Sequence, residues 1–467
     1  MKTLIQAALA FSCRHSFLRS PMLVALLFRA SLRRGGRRSG SERYVALMLP
    51  RPGLSEDALA VLDGMPEFSV LATHAGIMKA MAAGFLPKTI DDNNYAGLSP
   101  EEEAAKLRYR AFLQDVLRQV LRLTRIDVIV SGNFAYFAER ELHSAAEALG
   151  VPFVVLHKEN LKSPGRASYF EQHYRRRRGP FGGRRILVYN TIERDVQAAA
   201  GIAPADRITV CGMPRLDRSH QWRMTAAGHR LPTEPMVLFF TFGAKTGLPA
   251  LRRKGAGGDY AEALPEFDDL NWAQTARQTM AAVARFAQAN PGVQVVVKSK
   301  LSSDQREIFR AAAGGRIPAN LRLVDGGDPL VLLQQAWVVV GMNSTALLEA
   351  VAMGKTVLCP RYAEAADPAM QPWIADLGAS AEYAESPDAL IASLFELASA
   401  PVPVVPAELA PVAIDALDRW AGNSDGKASE RVRAVIRREV ATAFGRAPAA
   451  SGVTVPARPE TSRAELI

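Results

Sequence analysis

A group of small polar residues follows the apolar stretch AWVVV, and a single acid lies one helical turn further on. Asn343, Ser344 and Thr345 come just after Gly341, and Glu349 lies four residues beyond Thr345. Such side chains cap a helix whose remaining amides and dipole attract an anion. A carboxylate about 6 Å along the helix can bond the paired hydroxyls of a ribose. The spacing therefore predicts a nucleotide diphosphate site; the alternative is an ordinary capped helix with a solvated glutamate.

Two other predicted strands end in small or basic residues. Gly243, Lys245 and Gly247 follow FFTF, while Lys298 and Lys300 end VVVKSK. The carboxyl ends of parallel strands meet at one edge of a sheet, where open α/β folds bind ligands. We therefore expect these residues to join the phosphate site; alternatively, each lysine is a solvated surface charge.

The first half of the chain offers candidates for acid/base chemistry at its own strand ends. His74 lies in ATHAG, and His157 and Glu159 lie in VVLHKEN. A base here could deprotonate an acceptor hydroxyl, so these three are the catalytic candidates. Asn133 and Tyr136, in SGNFAYF, are candidates for contacts with the acceptor. The alternative for each is a hydrogen bond that stabilises a loop.

Several functional classes are excluded or disfavoured by what the sequence lacks. It contains no HExxH and no GxSxG, and no GxGxxG follows the first strand, so we expect neither a cofactor nor a dedicated metal site. Cys13, Cys211 and Cys359 are far apart. That spacing disfavours a disulfide framework and is typical of a reducing compartment, so we expect a cytoplasmic protein.

Short apolar runs alternate with helical patterns from residue 43 onward, which predicts two parallel sheets covered by helices, with a cleft at their strand ends. The first domain, 43–218, has predicted strands at 44–49, 68–73, 126–131, 151–157, 185–190 and 208–212. The second domain, 236–400, has them at 236–243, 293–299, 321–325, 336–341, 356–360 and 380–384. Polar residues 219–235 are interpreted as a linker. A Pro-rich connection and a helix are expected over 401–446, with a disordered tail over 447–467.

The first 43 residues carry most of the net charge. They contain nine Lys or Arg and one acid, in a chain with a formal charge of +10. The runs TLIQAALAF and PMLVALLF are too short to span a bilayer, which takes about 20 residues. Residues 1–42 are interpreted as a basic, apolar extension that is floppy, binds the inner face of the cell membrane through residues 1–38, or is a cleaved signal peptide. The nearly neutral remainder argues against a nucleic-acid partner.

Four segments carry a resemblance to known proteins: LHKENLKSPG (156–165), VCGMPRLDR (210–218), GMNSTALLEAVAMGKTV (341–357) and GNSDGKASERV (422–432). They resemble bacterial surface-carbohydrate and capsule polysaccharide biosynthesis proteins of the glycosyltransferase-B fold. More distant relatives are the CDP-glycerol glycerophosphotransferases and the UDP-N-acetylglucosamine 2-epimerases. The resemblance implies an α/β fold of two tandem Rossmann-like domains facing a cleft, with a C-terminal helix that crosses back over the first domain.

The resemblance also implies roles for particular residues. Ser344, Thr345 and Glu349 match positions that hold the phosphate and ribose of a nucleotide-activated donor. A GxPRxD element at the hinge matches Gly212, Pro214, Arg215 and Asp217. The implied reaction is metal-independent transfer of a sugar from a nucleotide-diphosphate sugar to a hydroxyl of a glycan or lipid-linked glycan.

Two other functions stay open. One is a CDP-glycerol-type glycerophosphotransferase, although those enzymes usually carry a His where this chain has Lys298. The other is a non-catalytic polysaccharide-assembly protein on the same fold. The acidic and His signatures of the epimerases are not evident in the first domain.

Overall fold

The computed structural model describes residues 2–15, 18–35, 42–49, 55–73, 75–158, 161–248, 270–299 and 303–445. Within these ranges, two sheets that are parallel apart from one edge strand are each covered by helices on both faces. The predicted fold class is therefore confirmed. The predicted tail, 447–467, lies outside the described residues. None of the described helices is both long enough and apolar enough to cross a bilayer.

The first sheet has the strand order β1-β3-β2-β4-β5-β6-β7. Its strands are β1 (Arg33–Gly35), β2 (Tyr44–Leu49), β3 (Phe68–Ala72), β4 (Val128–Ser131), β5 (Phe153–Leu156), β6 (Arg185–Val188) and β7 (Ile208–Val210). Strands β2 to β7 are parallel and lie within the predicted ranges. Strand β1 was not predicted, because its sequence, RRG, has no apolar alternation; it pairs antiparallel with β3 at the edge.

The second sheet is parallel throughout, in the order β10-β9-β8-β11-β12-β13. Its strands are β8 (Met236–Phe240), β9 (Gln294–Ser299), β10 (Leu321–Asp325), β11 (Val338–Val340), β12 (Thr356–Pro360) and β13 (Glu382–Ala384). Apolar residues on both faces of β8 enter two separate cores. This two-sided burial explains why the strand reads as one continuous apolar run.

The helices follow the strands in α/β alternation. The first part of the chain contains α1 (Lys2–Arg14), α2 (Pro21–Ser31), α3 (Ser55–Asp63), α4 (Ala75–Ala82), α5 (Pro100–Leu123), α6 (Phe137–Glu147), α7 (Ala167–Arg177), α8 (Thr191–Ala199) and α9 (Leu216–Ala226). The second part contains α10 (Ala273–Ala289), α11 (Ser303–Ala312), α12 (Pro329–Gln335), α13 (Thr345–Ala352), α14 (Pro387–Ser399), α15 (Pro411–Ala421) and α16 (Ala428–Ala443). Val432 and Ile436 of α16 share a core with Met48 of β2. The last helix therefore returns to cover the first sheet.

The interpretation of residues 1–42 as an extension outside the fold is corrected by the packing of α1 and α2. Leu9, Val24 and Phe28 are buried in the main core of the first domain. Arg19 donates to the carbonyls of Cys13 (2.8 Å) and Gly84 (3.2 Å), which fixes the turn between the two helices. The short apolar runs are amphipathic helices whose inner faces complete a core, because burying those faces removes apolar surface from water.

The predicted linker, 219–235, is also corrected, because α9 occupies its first half. Its polar composition suggested a loop, but two of its polar side chains are buried against carbonyl groups of other segments. The His220 ring lies 3.1 Å from the Asn423 carbonyl, and Arg223 donates to the Ala352 carbonyl at 3.2 Å. Leu216 is fully buried in a core of the second domain. Helix α9 therefore belongs to the packing of that domain.

Candidate functional site

Each sheet has one point where the strand order reverses, and both points lie at the interface between the domains. In the second sheet the order runs outward in both directions from the neighbouring strands β8 and β11. In the first sheet the corresponding neighbours are β2 and β4. Open α/β sheets bind ligands outside the carboxyl ends of the strands at such points. This topology defines the candidate site.

Arg215 links the points where the strand order of each sheet reverses. Its Nε lies 3.6 Å from Glu349 Oε1 on α13, which follows β11. The same atom lies 3.9 Å from Asp57 Oδ1 on α3, which follows β2. Its Nη2 donates to Thr345 Oγ1 at 3.4 Å. One guanidinium thus contacts the first turns of two helices from opposite domains, and only 23% of its side chain is exposed.

The entry to α13 confirms a capped helix and gives each polar residue a distinct place. Ser344 is the N-cap and accepts from the Ala346 amide at 3.3 Å. Asn343 has a positive φ of 50°. Its side chain donates to the Trp373 carbonyl at 3.1 Å and accepts from the Ala375 amide at 2.8 Å. Asn343 therefore holds the loop in place, and Thr345 is the hydroxyl turned toward Arg215.

Glu349 is buried at this interface, with 5% of the residue exposed. Burial raises the pKa of its carboxyl to about 7, although Arg215 acts in the opposite direction. Asp57 raises the pKa of Glu349 by a smaller amount, because two nearby negative charges repel each other. The carboxyl consequently changes protonation state near neutral pH, where it can donate as well as accept hydrogen bonds.

The loop after β8 lies against the entry to α13. The Gly243 amide donates to Thr246 Oγ1 at 2.9 Å, which closes a tight turn. Gly247 has φ +73°, and a Cβ there would lie 3.2 Å from Asn343 Nδ2. The ammonium group of Lys245 donates to the Leu270 carbonyl at 2.7 Å, which links this loop to the segment before α10.

One strand further along the same edge, Lys298 lies near the end of β9. It is partly buried, and burial lowers its pKa, while Asp325 on the neighbouring β10 acts in the opposite direction. The structure therefore places three strand ends side by side: those with Gly243, Lys298 and Ser344. Lys300, the other predicted lysine, lies outside the described residues.

The GxPRxD element forms the junction between α9 and α16. Asp217 accepts from the amides of Ala428 (3.0 Å) and Ser429 (2.7 Å) and from Asn423 Nδ2 (2.8 Å). It therefore caps the first turn of α16. Gly212 has φ +84°, and a Cβ there would meet the Gly422 carbonyl at 2.5 Å. Pro214 is buried in the turn that precedes α9 and accepts from the Asp217 amide at 3.1 Å.

His157 is placed where a general base would have no access to substrate. It is 1% exposed, and its Nε2 lies 3.1 Å from Glu193 Oε1. Glu193 also pairs with Lys162 and accepts from Tyr174 at 2.9 Å. This buried cluster fastens the segment after β5 onto α8. The location supports the structural alternative for His157.

The remaining candidates of the first domain divide into two groups. Asn133 is buried and accepts from the Ala135 amide at 2.8 Å, which forms the turn after β4. Tyr136 is half-buried at the start of α6. Both lie close in sequence to the carboxyl end of β4, at the reversal point of the first sheet. His74 and Glu159 lie outside the described residues.

A small cavity lies between the two domains among the residues that the structure describes. Its walls include Leu161, Ser163 and Phe170 from the first domain, and Asn343 and Trp373 from the second. Its volume is about 30 Å³. Sites for small ligands occupy roughly 300–1,000 Å³. This cavity alone is too small to hold a nucleotide.

Asp57 and Trp373 are among the residues of this interface that sequence reasoning missed. Asp57 had a detectable signal, since it is an acid in the first turn of the helix that follows the strand β2. Trp373 had none, because it is a single aromatic residue in an irregular segment. Its ring lies 4.7 Å from the Arg166 guanidinium and 5.3 Å from the Tyr169 ring, both of the first domain. Across the described ranges, no three His, Cys, Asp or Glu side chains come together as metal ligands would.

Comparison of the sequence with protein-family models and with curated proteins finds no match. Three of the solved structures that are distantly similar each have a TM-score of 0.45. The UDP-GlcNAc 2-epimerase from Neisseria meningitidis, bound to UDP-GlcNAc, is 13% identical, over 85% of this chain and 99% of that one. A variant of the wall teichoic acid polymerase TagF is 10% identical, over 95% and 98%. The alpha,alpha-trehalose 6-phosphate synthase from Burkholderia multivorans is 14% identical, over 86% and 98%. The strand order and the helical layers of this chain define its fold.

Proposed function

We propose that the protein is a glycosyltransferase that moves a sugar from a nucleotide-diphosphate sugar to a hydroxyl of a surface or capsular polysaccharide precursor. The observation that carries this proposal is the meeting of Arg215, Thr345 and Glu349 at the reversal point of the second sheet. A cation, a helix N-terminus and a buried carboxyl there offer partners for a diphosphate and for the hydroxyls of a ribose.

In the proposed complex the diphosphate lies at the first turn of α13. The free amides of that turn and the Arg215 guanidinium neutralise the charge that grows as the diphosphate departs. Glu349 bonds the ribose hydroxyls from four residues further along the helix. Gly243 allows the backbone to approach the phosphates closely. These protein groups supply the stabilisation that a metal ion provides in other transferases, so we propose a metal-independent reaction.

Donor binding would make Arg215 change partners. In the structure the guanidinium faces Glu349 and Asp57. A diphosphate is a stronger partner for a guanidinium, because its charge is greater and its oxygens match the planar donors. Opening the domains admits the donor, and reclosure excludes water from the reacting sugar. Asp57 would then be released toward the acceptor side of the cleft.

The first domain would supply the acceptor site and the base. His74 and Glu159 stay the proposed bases, and Asn133 and Tyr136 stay proposed acceptor contacts. The acceptor would be a glycan or a lipid-linked glycan at the inner face of the cell membrane. The basic charge beside exposed apolar side chains in α1 and α2 supports this location.

Product analysis with a panel of donors tests the proposal. The full-length protein is incubated with UDP-, GDP- and CDP-sugars, or with CDP-glycerol, together with membrane glycolipid from a capsule-producing bacterium. Release of a nucleoside diphosphate with glycan labelling is expected from a nucleotide sugar. Thr345→Ala should reduce it at least tenfold, while Glu396→Gln on the exposed face of α14 should not. Release of CMP from CDP-glycerol alone, or nucleotide binding without any transfer, would overturn the glycosyltransferase proposal.

A further inference from the structure

Exposed apolar side chains are concentrated on the two N-terminal helices. Of the 13 large apolar side chains that are exposed in the described part of the chain, five lie between residues 4 and 26. In α1, Leu4 and Phe11 are 74% and 54% exposed. They are seven residues apart and so share a helical face, which Arg14 extends by three further residues. This outward face combines apolar and basic groups.

Helix α2 presents a face of the same kind. Met22 and Leu26 are 44% and 46% exposed and lie four residues apart. Arg29 follows three residues later on the same side and is also exposed. The opposite side of this helix, with Val24 and Phe28, is buried. The exposed apolar side chains of this outward face are not covered by their own domain and do not stabilise its fold.

The two helices contact each other and pack on the first domain. Helix α1 packs against α4, and α2 packs against α5. The end of α1 lies so close to Gly84 that a Cβ there would meet the Cys13 carbonyl at 2.4 Å. The exposed sides of both helices combine apolar and basic side chains, as the surface of an interfacial membrane anchor does.

We propose that this surface, which includes Leu4, Phe11, Arg14, Met22, Leu26 and Arg29, docks the protein on an anionic lipid bilayer. This docking proposal depends on the proposed function only to explain why the protein would bind a membrane. Apolar side chains would enter the boundary of the acyl chains, while the arginines contact lipid phosphates. Arg33 and Arg34 of the edge strand β1 are exposed and follow α2 directly.

The positive charge of this surface favours an anionic bilayer over other partners. The sequence contains no Asp or Glu before Glu42. A second copy of the chain would therefore place arginines against arginines, which disfavours a dimer through this face. A nucleic acid would use the arginines but would leave Leu4 and Phe11 in water. An anionic bilayer satisfies both kinds of side chain.

Flotation of the full-length protein with vesicles tests the proposal. We expect binding to vesicles of phosphatidylcholine with 30% phosphatidylglycerol, and much weaker binding to phosphatidylcholine alone. Salt should release the protein, since the screening length falls from about 10 Å at 0.1 M to about 3 Å at 1 M. The variant Arg14→Gln/Arg29→Gln should lower the partition coefficient about 25-fold, at about fivefold for each arginine. Leu4→Gln/Phe11→Gln should lower it at least tenfold.

Matched variants separate this surface from general effects. Arg207→Gln/Arg277→Gln removes two exposed arginines elsewhere, and Leu107→Gln/Phe395→Gln removes two exposed apolar side chains elsewhere. Both should bind vesicles like the wild type. Equal losses in the surface and control variants would overturn the proposal. So would failure of the wild type to float with anionic vesicles, or a dimer in solution that Leu4→Gln/Phe11→Gln dissociates. Nucleotide binding by the same variants should be unchanged, which separates this result from a failure of the proposed function.

Discussion

Replacing Glu349 with Gln should remove a pH dependence from the stability of the protein. Only 5% of Glu349 is exposed, and burial raises the pKa of its carboxyl from 4.5 to about 7 despite the nearby Arg215. Gln has nearly the same shape as the protonated acid and never ionises. The variant therefore isolates the contribution of the Glu349 charge.

The sign and size of the effect follow from the raised pKa. Between pH 4.5 and 7 the folded state binds more protons than the unfolded state at this site, so the wild type loses stability as pH rises. A shift of roughly 2.5 pKa units corresponds to about 3 kcal/mol. Relative to Glu349→Gln, the wild type should therefore lose about 2–3 kcal/mol between pH 5 and pH 8.

Urea denaturation at pH 5 and pH 8, followed by tryptophan fluorescence, measures this difference. Other titrating groups are shared by the wild type and the variant, so they cancel when the two free energies of unfolding are subtracted. Glu396→Gln is the control, because Glu396 is exposed in the same domain. A wild-type-minus-variant difference that stays constant between the two pH values would refute the reasoning about a buried carboxyl at the interface.

Three further predictions concern the elements that hold the site. Asp217→Ala should lower the free energy of unfolding by about 2 kcal/mol, because the first amides of α16 lose their acceptor. Asp217→Asn should recover part of this loss. Equal losses in the two variants would contradict the capping role. Gly422→Ala should lower the melting temperature far more than Gly378→Ala. Both glycines have positive φ, but only a Cβ at 422 would meet a backbone atom, at 1.9 Å. Similar shifts in the two variants would contradict the close approach of the backbone to Gly422. Glu193→Gln should cost about 3–5 kcal/mol at pH 7 by leaving Lys162 buried without its carboxylate, and an unchanged urea midpoint would contradict that pairing.

The predicted sheets were confirmed because buried parallel strands carry a strong local signal. Runs such as VVV at 338–340 are apolar on both faces, and Gly or a cap marks the start of the next helix. The capped entry to α13 was predictable for the same reason: Ser344 acts on an amide two residues away. Both features depend on neighbours in sequence.

The parts that were missed depend on contacts between distant segments. Nothing near residue 219 indicates that His220 and Arg223 find partners at 423 and 352, so α9 read as a polar loop. Likewise, Arg215 could be assigned to a hinge from its motif, but its contacts with Asp57 and Glu349 depend on how the two domains pack together. The apolar runs and basic charge of α1 and α2 were visible in the sequence, whereas their burial against the first domain was not.

Titration of nucleotides into the wild type and into Ser344→Ala, Thr345→Ala and Glu349→Ala variants tests the central claim most directly. Isothermal titration calorimetry with UDP, CDP, GDP and CMP should detect a nucleoside diphosphate that binds the wild type, with at least tenfold weaker binding to Thr345→Ala and Glu349→Ala. Wild-type protein that binds none of the four, or variants that bind as tightly as the wild type, would contradict a donor site at the first turn of α13.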